Sequence, residues 1–211
     1  MISAVCIRRS IRFTWLLPGL FLALTTNPAF AGDNLIINGD FRKQLQLNKW
    51  TKYPVESREA DWFPDSEDGG YFSGSARLQD KSPGNNGYAL VLHQCIEDID
   101  SALPIHFGAT ARVEEEGEPG VSAAVHVEEH QSDDCSGRDP YNSHFLTVNA
   151  RTDEWLSNDK KTDLKDETVQ SVRISLSVNK SAGTGGKGKV YFDSVWLKQQ
   201  EDPLFDDRFE D

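Results

Sequence analysis

The stretch NLIINGDF, residues 34–41, packs three apolar residues, an Asn-Gly-Asp turn and an aromatic into eight positions. Asn38-Gly39-Asp40 is turn chemistry, because Asn and Gly tolerate positive φ and Asp bonds readily to nearby backbone. Leu35, Ile36, Ile37 and Phe41, with Trp50 shortly after, are side chains that can tie a chain end into a core. A terminal strand without such anchorage frays. The stretch therefore reads as a terminal strand and turn that staple a fold shut.

What precedes it is sequence of another kind. Arg8, Arg9 and Arg12 form a basic start, an apolar run follows from Phe13 to Leu24, and Ala29-Phe30-Ala31 is a small-x-small cleavage site. Residues 1–31 are expected to be a signal peptide. The run is short of the roughly 20 apolar residues that span a bilayer, and Pro18-Gly19 interrupts it. The arginine pair fits twin-arginine export as well as an ordinary basic leader. Cleavage after Ala31 leaves 180 of the 211 residues, enough for one domain at 32–198. The last residues, 199–211, are acidic, broken by Pro203, and expected to be a loose tail.

The whole chain carries a net charge of −12, and loss of the three leader arginines makes it −15. Nucleic acid is excluded as a partner, because its binding relies on Lys and Arg neutralising phosphate. Membrane insertion after signal cleavage is excluded too, since no later apolar run reaches spanning length. Cys6 leaves with the leader, so Cys95 and Cys135 remain. In an exported chain they are most simply one disulfide; two free thiols are the alternative.

Strand signals repeat along the mature chain between clusters of Gly, Pro, Asn and Asp. In VQSVRISLSVNK, Val172, Ile174, Leu176 and Val178 alternate with Ser171, Arg173, Ser175 and Ser177. This is a period of two, with one face buried and one wet. KVYFDSVWLK follows after SAGTGGKG, and residues 171–198 read as a long-tipped hairpin. Further strands are expected at 75–80, 88–95, 103–113, 121–129 and 144–149. The fold class is all-β, an antiparallel β-sandwich.

NLIINGDF, then Lys49-Trp50, and VYFDSVWL at residues 190–197 together resemble the galactose-binding-like jelly rolls. The nearest likeness is to bacterial carbohydrate-binding modules of the cellulase C type. DWFPDSEDGGYFSGSARL, LHQCI and DDCSG in the middle are similar to a group of exported bacterial proteins of the same fold. The resemblance implies a two-sheet jelly roll whose first and last strands lie together, with Cys95 and Cys135 paired. It implies a secreted or periplasmic bacterial protein whose partner is carbohydrate. It also implies a structural calcium between the N-terminal segment and the last strand, with Asp40 and Asp193 as ligands. Arg42 stands where the familiar pattern has a carboxylate, and Ser194 where it has a second Asp; Arg42 is an alternative partner for Asp193. No other cofactor is implied.

Sugar binding needs an aromatic face for the apolar side of a pyranose and polar side chains for its hydroxyls. Trp62, Tyr71, Tyr141 and Trp155 sit among turn formers and are the candidate faces, whereas Trp50 and Trp196 read as core. His126 and Glu128 share the polar side of GVSAAVHVEEH and are candidate ligand-lining groups. His126 and His130 cannot share a zinc on a regular strand. Four residues span roughly 13 Å, and zinc ligands approach to about 2 Å. GTGGKGKV matches a phosphate loop except that Val190 replaces the hydroxyl, and it leads into a strand rather than a helix. No catalytic signature is present. The expected function is a secreted, non-catalytic carbohydrate-binding module; the alternative is a structural or protein-interaction module of the bacterial envelope or extracellular matrix.

Overall fold

A computed structural model describes residues 33–43, 45–82, 87–114, 120–137, 140–149, 154–181 and 188–199. The expected signal peptide, the expected tail beyond Gln199 and most of the glycine-rich 183–190 stretch lie outside the described residues. The strands are β1 Thr51–Lys52, β2 Arg58–Phe63, β3 Ser75–Asp80, β4 Gly87–Ile96 and β5 Ile105–Val113, then β6 Val121–His130, β7 Asn142–Asn149, β8 Leu156–Thr162, β9 Ser171–Lys180 and β10 Gly188–Gln199. They form two five-stranded sheets, β1-β4-β9-β6-β7 (sheet A) and β2-β3-β10-β5-β8 (sheet B). All the pairings are antiparallel. The chain is an all-β jelly-roll sandwich, as the alternating patterns require.

Alternation decides which side chains enter the core. Val121, Ala123, Val125 and Val127 of β6, and Val172, Ile174, Leu176 and Val178 of β9, are buried between the sheets. One expectation fails: β9 and β10 are not a hairpin. β9 pairs with β4 and β6, whereas β10 pairs with β3 and β5, so the glycine-rich connection crosses from one sheet to the other. A period of two tells which face of a strand is buried but not which strand lies beside it.

NLIINGDF departs from the expected strand. Asn38 has φ 58° and Phe41 φ 41°, left-handed values that break an extended run and leave turns over residues 37–40. β3 pairs with β10 only as far as Phe192; beyond it, residues 34–39 take that place. Leu35 N–H donates to Leu197 O at 2.9 Å, and Val195 N–H to Gly39 O at 2.8 Å. A Cβ at Gly39 would lie 2.1 Å from Val195 O, so no larger residue fits. Asn34 donates to Val195 O and accepts from Ile36 and Leu197 N–H. Gln94 of β4 in turn accepts from Ile37 N–H and donates to Ile37 O and Lys49 O. The stretch thus joins both sheets. Ile36, Phe41 and Trp50 are buried, with Phe41 stacked on Trp50 at 5.6 Å, but Ile37 is 55% exposed and anchors nothing by burial.

Two further ties hold the sheets. The Lys180 ammonium at the end of β9 pairs with the Asp80 carboxylate of β3 at 2.7 Å, both side chains fully buried, and also donates to Ser82 O at 2.6 Å. Cys95 and Cys135 are bonded, which selects the disulfide over the two free thiols and fixes the 131–137 loop to β4.

Candidate functional site

Residues that alternate with the core point to the outer face of sheet A. There β9 contributes Ser171, Arg173, Ser175, Ser177 and Asn179, and β6 contributes Ser122, Ala124, His126, Glu128 and His130. The middle of this face is built from small groups: Ser175, Ser177 and Ala124 are fully shielded from solvent although they point away from the core. Taller side chains from the flanking strands shield them. Tyr53, which follows β1, packs on His93 at 4.5 Å and its hydroxyl lies 3.0 Å from Ser175 Oγ. Phe145 of β7 stacks on the His126 ring at 3.9 Å, nearly parallel at 9°. It also meets Tyr88 of β4 at 4.6 Å, although β9 and β6 lie between β4 and β7 in the sheet. The pair forms an aromatic arch over a floor of serine and alanine. Each ring is 41% exposed, so the arch presents apolar faces to water.

Beside the arch, Arg173 pairs with Glu128 at 3.2 Å and donates to Cys135 O. The disulfide-held loop is thereby tied to the same face, with Cys135 N–H donating to Ser171 Oγ at 3.0 Å. Electrostatics there are dominated by lost water. Burial lowers the His126 pKa to about 4, helped by the nearby His144 and the Arg173 cation. Burial and Arg173 lower His93 and His130 as well, and burial raises Glu128 against the opposing pull of Arg173. The imidazoles are therefore neutral at pH 7. Both His126 nitrogens, His93 Nδ1 and His130 Nε2 make no hydrogen bond among the described residues. Buried polar atoms are usually satisfied, so this cluster is unusual.

The residues singled out by sequence do not converge. His126 and Glu128 do lie on this face, but His126 is covered by Phe145 and Glu128 is held by Arg173. Trp62 lies on β2 at one edge of sheet B, packed against the core, its indole N–H donating to Phe41 O at 2.8 Å. Trp155 precedes β8 at the opposite edge, under the Arg112 guanidinium at 5.2 Å, so the two indoles share no groove. Tyr141 donates its hydroxyl to Asp166, and Lys165 covers its ring at 3.9 Å. Tyr71 is 76% exposed on the 64–74 loop, where Lys43 lies over the ring at 4.2 Å.

Asp40 and Asp193 line one cavity of about 470 Å³ with Glu67 and Asp68. Arg42 pairs with Asp40 at 2.5 Å rather than with Asp193. Both Asp193 oxygens accept backbone N–H bonds at 2.8 Å, from Glu67 and Ser194, and burial raises its pKa. Asp68 closes its own loop through Ser66, Gly70 and Ser73, contacts that lower its pKa to about 2. Calcium takes about 6–8 oxygen ligands. Asp40, Asp68 and Asp193 are each engaged by protein partners, and no group of three or more Asp, Glu, His or Cys side chains arranged for a metal is found among the described residues.

Trp196 also differs from expectation. It is half-buried on the outer face of sheet B rather than in the core, because a bulge between Asp193 and Val195 shifts the alternation and sends Val195 and Leu197 inward. The residues the sequence left unmarked are Tyr53, Tyr88, His93, Phe145 and Arg173. They come from the end of β1 and from β4, β7 and β9, and each looks ordinary in its own segment.

No family model and no curated protein sequence matches the chain. Solved structures do match in shape. The CBM22-2 xylan-binding domain from Paenibacillus barcinonensis aligns with a TM-score of 0.51 at 12% identity, over 76% of this chain and 97% of that one. A family 16 carbohydrate-binding module aligns with 0.50 at 17% identity, over 78% and 99%. An arabinose-bound α-L-arabinofuranosidase aligns with 0.55 at 12% identity, over 79% of this chain and 26% of the enzyme. At such identities the likeness is one of fold: the chain has the β-sandwich architecture of carbohydrate-binding modules.

Proposed function

We propose that the protein is a secreted, non-catalytic carbohydrate-binding module that holds glycan on the outer face of sheet A. One observation carries the reading: Tyr88 and Phe145, brought together across the two strands that separate β4 from β7, expose their rings over a polar floor. A pyranose has an apolar face suited to such rings, and its hydroxyls suit the donors and acceptors beside them. Arg173, Asn179 and Glu128 supply those polar partners. Glycoside hydrolysis ordinarily needs two carboxyl groups flanking the bond. Among the strand residues of this face Glu128 is the one carboxylate, and Arg173 holds it. The shared fold of xylan-binding and other carbohydrate-binding modules supports the same reading, and the leader supports export.

The test is affinity electrophoresis through gels containing xylan, galactan, arabinan or mixed-linkage glucan. Retardation of the wild-type chain by at least one polymer is expected, with loss in Tyr88→Ala and Phe145→Ala. Migration unchanged in every gel, or full retention by the double variant, would overturn the assignment.

A further inference from the structure

The bulge in β10 has a second product. Phe192, Val195 and Leu197 enter the core, and Trp196 is left outside, facing Gly108 of β5 in the register. A Cβ at Gly108 would come within 2.5 Å of the indole Cζ2 and 2.8 Å of Cε2. The indole therefore lies against bare backbone at Gly108, where a larger residue would push it away. An aromatic ring seated in this way is held by the sheet on one side and can offer the other to a ligand.

The surroundings are polar and concave. Trp196 lines a cavity of about 300 Å³ with His106, Ser194, Lys198 and Asp40. That lies at the lower end of the roughly 300–1,000 Å³ of small-ligand sites, room for one ring rather than a chain. His106 sits 2.7 Å from Asp159, which pairs with Gly108 in the neighbouring strand, so a hydrogen-bonded pair stands beside the indole. Lys198 lies two residues along the same face, opposite His106. An aromatic face with hydroxyl, imidazole, carboxylate and ammonium groups at its rim matches a pyranose: apolar C–H groups on one side, hydroxyls around the edge.

We propose that Trp196, seated on Gly108 and rimmed by Lys198 and the His106–Asp159 pair, is a second carbohydrate subsite on the sheet opposite the aromatic arch, taking a single pyranose unit. The subsite stands on its own geometry and does not rest on the assignment of sheet A. With both sites active, one copy of the protein grips two glycan strands from opposite faces.

The experiment follows the Trp196 indole N–H resonance in the 15N-labelled full chain, assigned with Trp196→Phe, during titration with D-xylose, D-galactose, L-arabinose and D-glucuronate. A saturable shift with at least one sugar is expected. It should persist in Tyr88→Ala/Phe145→Ala, and Gly108→Ala should weaken it, with near-ultraviolet circular dichroism confirming that this variant folds. If glucuronate alone acts, and Lys198→Ala or added salt removes the effect, the subsite takes an acidic sugar. If neutral sugars act and Lys198→Ala retains them, it takes an uncharged one. No movement of the Trp196 resonance with any of the four sugars overturns the proposal. Movement that disappears in the Tyr88→Ala/Phe145→Ala variant overturns it equally, by tracing the response to sheet A.

Discussion

Polar side chains are shut away from water in two parts of this molecule, with opposite outcomes. Along the closure of the sandwich, Gln94 uses its amide group on neighbouring backbone, and Lys180 finds both a carboxylate and a carbonyl. On the outer face of sheet A, His126 is comparably buried, yet neither ring nitrogen is bonded among the described residues. A satisfied buried group holds the fold together; an unsatisfied one weakens it and persists where something else is gained. The difference separates the polar groups that build the sandwich from those that equip its surface.

The comparison can be broken at its strongest point first. Lys180→Met leaves the Asp80 carboxylate buried and alone, and should lower unfolding free energy by about 3–5 kcal/mol in urea or guanidinium titrations. Adding Asp80→Leu should restore most of the loss. A Lys180→Met protein as stable as wild type would show that water reaches the pair.

Asn34→Ala removes three hydrogen bonds at the closure, one donated and two accepted. A loss of about 1–3 kcal/mol is expected by the same measurement. Hydrogen exchange should rise most at the Leu197 amide, and uniform protection along β10 would contradict the stapling role.

His126→Phe goes the other way. It keeps a ring under Phe145 while removing two unbonded nitrogens, so stability should change by less than about 1 kcal/mol, or rise. A large loss would reveal a partner for the imidazole that the geometry lacks.

Acidity gives the finest test. The folded-state pKa of His126, about 4, lies below its ordinary value of 6.5, so the unfolded chain binds the extra proton first. The stability held by the neutral ring is complete above pH 6.5 and drains away as pH falls toward 4. His93 and His130 act in the same direction, and Glu128, whose pKa is raised, opposes them. His126→Phe should flatten the stability profile in that window. An unchanged slope would mean that the ring is protonated with little penalty.

Much of the fold was legible because it depends on local pattern. The alternation of Val172, Ile174, Leu176 and Val178 marks a buried strand face wherever the strand ends up. Two cysteines behind an export-type leader sequence have few alternatives. Ile37 was misread because a left-handed residue at Asn38 turns the chain, and hydrophobicity alone does not report the turn. The candidate site was less legible. Tyr88 and Phe145 lie 57 residues apart in the chain. They meet only because β9 and β6 carry small residues on the face between them, and strand order is not written in any single segment. Trp62 and Trp155 stood among loop-forming residues, as binding aromatics often do. In the structure, one caps the core edge and the other lies beneath an arginine.

The bulge at Ser194 bears on how such a protein can change. One extra residue in β10 fixes whether the following side chains face inward or outward, without altering what they are. Deleting Ser194 would turn the Trp196 indole toward the core and Leu197 toward water, erasing a surface feature and filling an interior at once. A single codon gained or lost there trades a wall for a platform. Related sandwiches can therefore differ in how many faces they present to a ligand while their composition and core remain almost the same.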